Sequence, residues 1–124
     1  MRYQKGVRMK TVPTWQAQIF CGLRKHYEVC SPCQSIEKIY SICRRYVHQD
    51  GGWCVTVTPT KFIYTGGDED GAIVGVILYP RYPISHNLLK ERTIELAKML
   101  RVELGQFRVS VVFPDETVML DGDD

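Results

Sequence analysis

Residues 53–79 read WCVTVTPTKFIYTGGDEDGAIVGVILY, and how this stretch divides decides the fold. At its start, Val55 and Val57 share one side while Cys54, Thr56 and Thr58 share the other. That is the two-residue period of a strand. Pro59 has no N–H for a ladder and is expected to interrupt it. Phe62-Ile63-Tyr64 then forms a second short strand. Gly66-Gly67-Asp68-Glu69-Asp70-Gly71 signals the turn of a hairpin. The return strand, Ala72 to Tyr79, is nearly all apolar and reads as central and covered on both faces.

Upstream, residues 14–22 (TWQAQIFCG) alternate, with Trp15, Ala17, Ile19 and Cys21 on one side. A helix follows, with Ser31 as N-cap, Pro32 at N1 and Gln34 completing a capping box. Its apolar stripe is Ile36, Ile39, Tyr40, Cys43 and Val47, and Gly51-Gly52 ends it. Downstream, a second helix runs from a Ser85 cap to about Leu104. Leu89, Thr93, Leu96, Ala97, Leu100 and Leu104 face inward, and Gly105 marks the stop. Residues 106–113 alternate as a strand, Pro114-Asp115-Glu116 turns it, and Thr117–Leu120 returns as the last strand. The order β-α-β-β-β-α-β-β predicts an α+β fold: two helices packed on one mainly antiparallel sheet, in a single small domain. That domain spans 14–120, between a basic N-terminal arm (1–13) and an acidic tail (121–124).

Composition agrees with one globular unit. The chain has 124 residues, 44% hydrophobic and 24% charged, enough for one core. No apolar run reaches the roughly 18 residues of a membrane helix, and the N-terminus lacks a secretory segment, so a cytoplasmic protein is expected. The net charge is +2, not that of a strong duplex-DNA binder. Five cysteines, an odd number, point to reduced thiols. Cys30 and Cys33 have C-x-x-C spacing, but no second ligand pair accompanies them. His26, His48 and His86 are scattered. No metal site and no cofactor is expected. The pair reads as apolar filler at a helix start.

Two places could carry chemistry. One is the corner after the apolar strand, ILYPRYP at 77–83, with Arg81 and Tyr82 between stiff prolines and Ser85-His86-Asn87 opening a helix. An arginine fork suits phosphate oxygens. A tyrosine face accepts a stacked base. The first amides of a helix, near Asn87, attract an anion. The other is the sheet face left free of helices, which displays Thr56, Thr58, Arg108 and Ser110, with Arg24 in the loop after the first strand. Each has a plainer reading: a shaped turn, and a solvated or subunit-pairing face. Asp68-Glu69-Asp70 reads as a solvated hairpin tip. The chain has no G-x-S-x-G, Walker A, H-E-x-x-H or G-x-G-x-x-G motif. A binder is therefore expected and an enzyme is not. The rivals are a small enzyme acting on a nucleotide-type ligand, with His86 as acid or base, and an RNA or protein interaction module.

Four blocks carry a family resemblance: QAQIFCGLR (16–24), CVTVTPTKFIYTGG (54–67), GVILYPRYP (75–83) and GQFRVSVVFPDETVML (105–120). They resemble the phage Thoeris anti-defence proteins of the first type. The resemblance implies a sponge in the bacterial host cytoplasm. It would bind and sequester the cyclic ADP-ribose isomer made by a TIR-domain enzyme, without degrading it. Some members also bind cyclic di- or trinucleotide signals of CBASS defence at a second site. It further implies a homo-oligomer, a dimer or a hexamer built from dimers, with ligand sites near subunit contacts. The family's aromatic and arginine positions fall on Tyr82, where a phenylalanine is expected, and on Arg108. Arg81, Asn87, Thr56, Thr58 and Arg24 are added from the chemistry above.

Overall fold

The computed structural model describes residues 6–24, 34–51 and 53–122. Among these residues seven elements follow one another: β1 (Gln16–Gly22), α1 (Ile36–Asp50), β2 (Val55–Tyr64), β3 (Gly67–Ile77), α2 (His86–Glu103), β4 (Arg108–Val112) and β5 (Thr117–Asp121). The strands form one sheet in the order β2-β3-β1-β4-β5, and every neighbouring pair is antiparallel. Both helices pack on it from one side, as the α+β reading requires. No helix among the described residues is long and apolar enough to cross a membrane.

The decisive stretch divides differently from expectation. β2 runs unbroken through Pro59, which sits opposite Ala72. It can do so because β2 is an edge strand, and an edge tolerates a missing N–H. The turn is only Thr65-Gly66, with Gly66 at φ 95°. Asp68, Glu69 and Asp70 therefore belong to β3, opposite Ile63, Phe62 and Lys61. Among the described residues the six expected strands become five. β3 is also not covered on both faces. Ala72, Val74 and Val76 are fully buried, whereas Ile77 is 41% exposed and Ile73 and Gly75 are half-buried.

The first helix begins later than the capping pattern suggests. Its N-cap is Ser35, whose hydroxyl accepts from the Glu37 N–H at 3.0 Å. Ser31, Pro32 and the Cys30/Cys33 pair lie outside the described residues. Gln34 precedes the cap. Its side-chain amide donates to the carbonyls of Leu104 (2.7 Å) and Leu23 (3.3 Å), tying the end of β1 to the end of α2. The buried stripe is Ile39, Ile42, Cys43 and Tyr46. Ile36, Tyr40 and Val47 flank it half-buried, so the helix is rolled from the expected stripe. Tyr46 meets Trp53 edge-on at 5.7 Å. α2 matches its reading: the Ser85 hydroxyl accepts from Leu88 N–H at 3.1 Å, and Gly105 leaves the helix at φ 66°.

The core lies between helices and sheet. Ile19, Ile39, Leu96, Leu100, Val74 and Val111 are wholly buried there. Burial removes apolar area from water at about 25 cal/mol per Å². It also pushes the thiols of Cys21 and Cys43 up, that of Cys43 to about 11.

Candidate active site on the open face of the sheet

Strand alternation decides what the uncovered face carries. The register aligns Gln18 with Gly75, Phe20 with Ile73 and Gly22 with Gly71. It continues to Thr56, Thr58 and Thr60 on β2 and to Ser110 and Val112 on β4. One step further along β3 and β2 stand Glu69 and Phe62. Glycine is placed where these last two side chains lie down. A Cβ on Gly71 would overlap the Phe62 ring, and one on Gly22 would overlap the Glu69 carboxylate. The ring of Phe20 meets that of Phe62 edge-on at 6.4 Å.

Around Glu69 the polar groups are tied together. Its carboxylate accepts from the Arg24 backbone N–H at 2.9 Å. The Arg24 guanidinium donates to the Tyr64 hydroxyl (3.1 Å) and the Asp68 carbonyl (2.8 Å). Its Nε is buried without a hydrogen-bond partner among the described residues. The side-chain amide of Gln106 donates to the Arg24 carbonyl at 2.8 Å, and Gln106 is only 9% exposed. Residue 24 is thus gripped at its N–H, its carbonyl and its side chain. A carboxylate, two phenyl rings and a phenol meet on one glycine-floored surface.

The residues nominated from sequence fall at separate places. Arg24 lies in this cluster. Arg108 stands at the start of β4, toward the same end, and its Nε pairs with Asp121 at 3.3 Å. Thr58 lies in mid-face, level with Ile73, and Thr56 one step toward the far end, level with Gly75. The Thr56 hydroxyl would lie 2.6 Å from a Cβ on Gly75, so it packs over that glycine. Tyr82, Arg81 and Asn87 lie beyond the opposite end of β3, after Ile77, which pairs with Gln16. The six steps from Gln16 to Gly22 separate the two ends by about 20 Å. The Arg81 guanidinium sits 5.7 Å from the centre of its neighbour Tyr82's ring. Within one chain, the two groups do not converge on one small ligand.

That opposite end has recesses of its own. One, of about 330 Å³, is lined by Gln16, Gln18, Val112 and Pro114. Another, of about 380 Å³, is lined by Thr14, Gln16, Ile77 and Pro80. His86 is the first residue of α2, and its ring lies 6.2 Å from that of Trp15.

Tyr64, Phe62, Phe20 and Gln106 were not nominated as site residues from sequence, and Glu69 was read as part of a solvated hairpin tip, whereas it stands in β3 opposite Phe62. The missed signal was phase: Glu69 alternates in step with Gly71, Ile73 and Gly75, which extends the strand backward through the acidic run. Among the described residues no group of three or more His, Cys, Asp or Glu is placed to hold a metal.

No protein-family model matches the chain, and neither does any curated protein sequence. Solved structures do match. A phage SAM lyase in its apo state superposes with a TM-score of 0.74 at 18% identity, over 94% of this chain and 98% of that one. A phage SAM lyase in complex with S-methyl-5'-thioadenosine gives a TM-score of 0.65 at 16% identity, over 93% and 95%. At these identities the likeness is one of fold. It supports the architecture of two helices on a five-stranded antiparallel sheet, which a phage protein shares, and it names no Thoeris sponge. It also corrects the expectation that the chain is not an enzyme, since the fold it shares is that of a lyase. Missing sequence motifs excluded only reactions that need those motifs.

Proposed function

We propose that this protein is an enzyme of the S-adenosylmethionine lyase type, which seats an adenosyl sulfonium on the open sheet face and breaks its sulfur–Cγ bond. The observation that carries this reading is the Glu69 carboxylate, anchored over Gly22 by the Arg24 N–H and flanked by the Phe62 and Phe20 rings. A sulfonium is a cation, and S-adenosylmethionine carries an ammonium as well. Ring faces attract such groups by about 0.5–2 kcal/mol, and a carboxylate pairs with an ammonium. The same rings accept an adenine. A diphosphate would ask for free arginine forks. Here Arg24 is engaged by Tyr64 and Asp68, and Arg108 by Asp121.

The chemistry closes without an added reactant. The substrate's own carboxylate oxygen forms a bond to Cγ. The sulfur–Cγ electron pair goes to sulfur, giving S-methyl-5'-thioadenosine, and the remaining fragment becomes homoserine lactone. No proton, water or metal is consumed. A five-membered ring closure draws on the high effective molarity of a held conformer. The site's task is to fold the methionyl chain so that its carboxylate faces Cγ, with Glu69 holding the ammonium.

A flat sheet covers one side of a nucleoside. A second copy of the chain would supply the other wall, and Tyr64, Ile77 and Met119, each 41–53% exposed on this face, are the surface offered for it. Tyr82, Arg81 and Asn87 would then reach a ligand only from a neighbouring copy.

The test is to incubate purified protein with S-adenosylmethionine and follow S-methyl-5'-thioadenosine and homoserine lactone by mass spectrometry. Multiple turnovers are expected, with a loss of at least about a hundredfold in Glu69→Gln. A parallel arm uses a cyclic ADP-ribose isomer. If that isomer is bound and returned intact while S-adenosylmethionine is untouched, the lyase reading is overturned and signal sequestration replaces it.

A further inference from the structure

A second surface lies on the other side of β2, where α1 covers the sheet incompletely. β2 is a ten-residue edge strand, and its helix-side residues Val55 and Val57 are only half-buried. A groove of about 280 Å³ remains between strand and helix, walled by Tyr40, Val47, Trp53 and Val57. That is near the lower end of small-molecule sites, about 300–1,000 Å³.

Its charge is one-sided. Among the described residues, Arg44 and His48 are the basic side chains of the wall and no carboxylate lines it. The Arg44 guanidinium lies 6.0 Å from the Tyr40 ring centre and has no acidic partner among the described residues. His48 donates through Nδ1 to the Arg44 carbonyl at 2.7 Å. The ring is thereby oriented, and Nε2 is left for another partner. In the same wall, the indole N–H of Trp53 is buried without an acceptor among the described residues. Apolar walls, an uncommitted cation and an oriented imidazole suit one chemistry: an oxyanion on an apolar body.

We propose that this groove binds a small amphipathic carboxylate, its apolar body against Val47, Val57 and Trp53 and its carboxylate at Arg44 and His48. The proposal does not depend on the lyase reading, because the groove lies on the helix side of the sheet and Glu69 on the other. The experiment is an amide and indole N–H NMR titration of the full chain with three probes of equal length: decanoate, decanol and decyltrimethylammonium. Decanoate should saturate, shifting the Trp53 indole and the amides of α1 and early β2. Decanol should bind about tenfold more weakly, the value of one charge-assisted contact, and the ammonium should leave these signals unmoved. Arg44→Gln should bring decanoate down to the level of decanol and leave decanol unchanged. Equal affinity for all three probes, shifts confined to the open face, or indifference to Arg44→Gln would each overturn the proposal. So would closure of the groove by a second copy, seen as shifts of the same amides on dilution.

Discussion

The two faces of one sheet are built from different alphabets. Toward the helices β1 and β3 present Ala17, Ile19, Cys21, Ala72, Val74 and Val76, all 2% exposed or less. Toward the open side the same strands present Gln16, Gln18, Phe20 and Gly22, and Glu69, Gly71, Ile73, Gly75 and Ile77. Consecutive residues on one backbone thus serve opposite ends. The covered side holds the fold, because branched aliphatics leave water there. The open side spends its glycines on letting Glu69 and Phe62 lie flat across neighbouring strands. Stability and chemistry are therefore separable by a single step along a strand.

The sharpest way to break this contrast is a pair of adjacent substitutions. Ile19→Ala should cost about 2–5 kcal/mol in urea denaturation, the range for truncating a fully buried aliphatic. Gln18→Ala should stay within about 0.5 kcal/mol. Comparable losses at both would show that the open face is buried in the working assembly.

Gly22→Ala comes next. The new methyl overlaps the Glu69 carboxylate and comes within 2.9 Å of the Gln106 amide oxygen. A loss of about 1–3 kcal/mol is expected, as for overpacking elsewhere, and on the lyase reading proposed above S-adenosylmethionine turnover should fall with it. In a Glu69→Ala background most of the stability should return while turnover stays low, because the carboxylate proposed to hold the ammonium is gone. A Gly22→Ala protein that turns over S-adenosylmethionine normally would remove the Glu69 cradle from the site.

Alkaline pH sharpens the covered side. An unfolded cysteine ionises near its ordinary value of 9.0, whereas burial holds the Cys43 proton to about 11. The unfolded chain releases its proton first, so stability is unaffected below pH 9 and falls between 9 and 11. Tyr46 adds to the fall from 10 to about 12, through burial and then the charge of Asp50. Melts at pH 7 and pH 10 should differ by about 1–2 kcal/mol from Cys43, and Cys43→Ala should flatten that part of the slope. Over the same range a thiol reagent should label exposed Cys54 and spare Cys21 and Cys43.

The smallest effect is expected at Arg108→Ala. Its pair with Asp121 is about half exposed on both sides, so stability should change by less than about 1 kcal/mol. A larger loss of ligand affinity than of stability would return Arg108 to the binding surface.

Much of the fold was legible because its signals are local. The β1 alternation, the α2 stripe from Leu89 to Leu104, the Ser85 cap and the Gly105 stop each depend on neighbours a few residues away. The misreadings share a cause. Pro59 breaks a strand only if that strand has partners on both sides, and Gly67 to Asp70 form a turn only if nothing pairs with them. Edge position and pairing are settled between segments, so neither can be read from the segment alone. α1 shows the same limit: Ser31 carries a capping pattern, yet the described helix is capped by Ser35.

The site was less legible still. Arg24 was picked out for its charge, but its companions Glu69, Tyr64 and Gln106 lie 40 to 82 positions away in sequence. The α+β architecture, the inward faces of β1, β4 and α2 and the extent of α2 are written in the sequence alone, because hydrophobic period and capping act over one or two turns of chain. That Pro59 lies within one continuous edge strand, that the acidic run is strand, that β3 buries one face, and that Glu69 rests over Gly22 beside Arg24 emerges from the tertiary pairing. Those outcomes depend on which strands become neighbours, and that choice is made by the packing of the whole sheet.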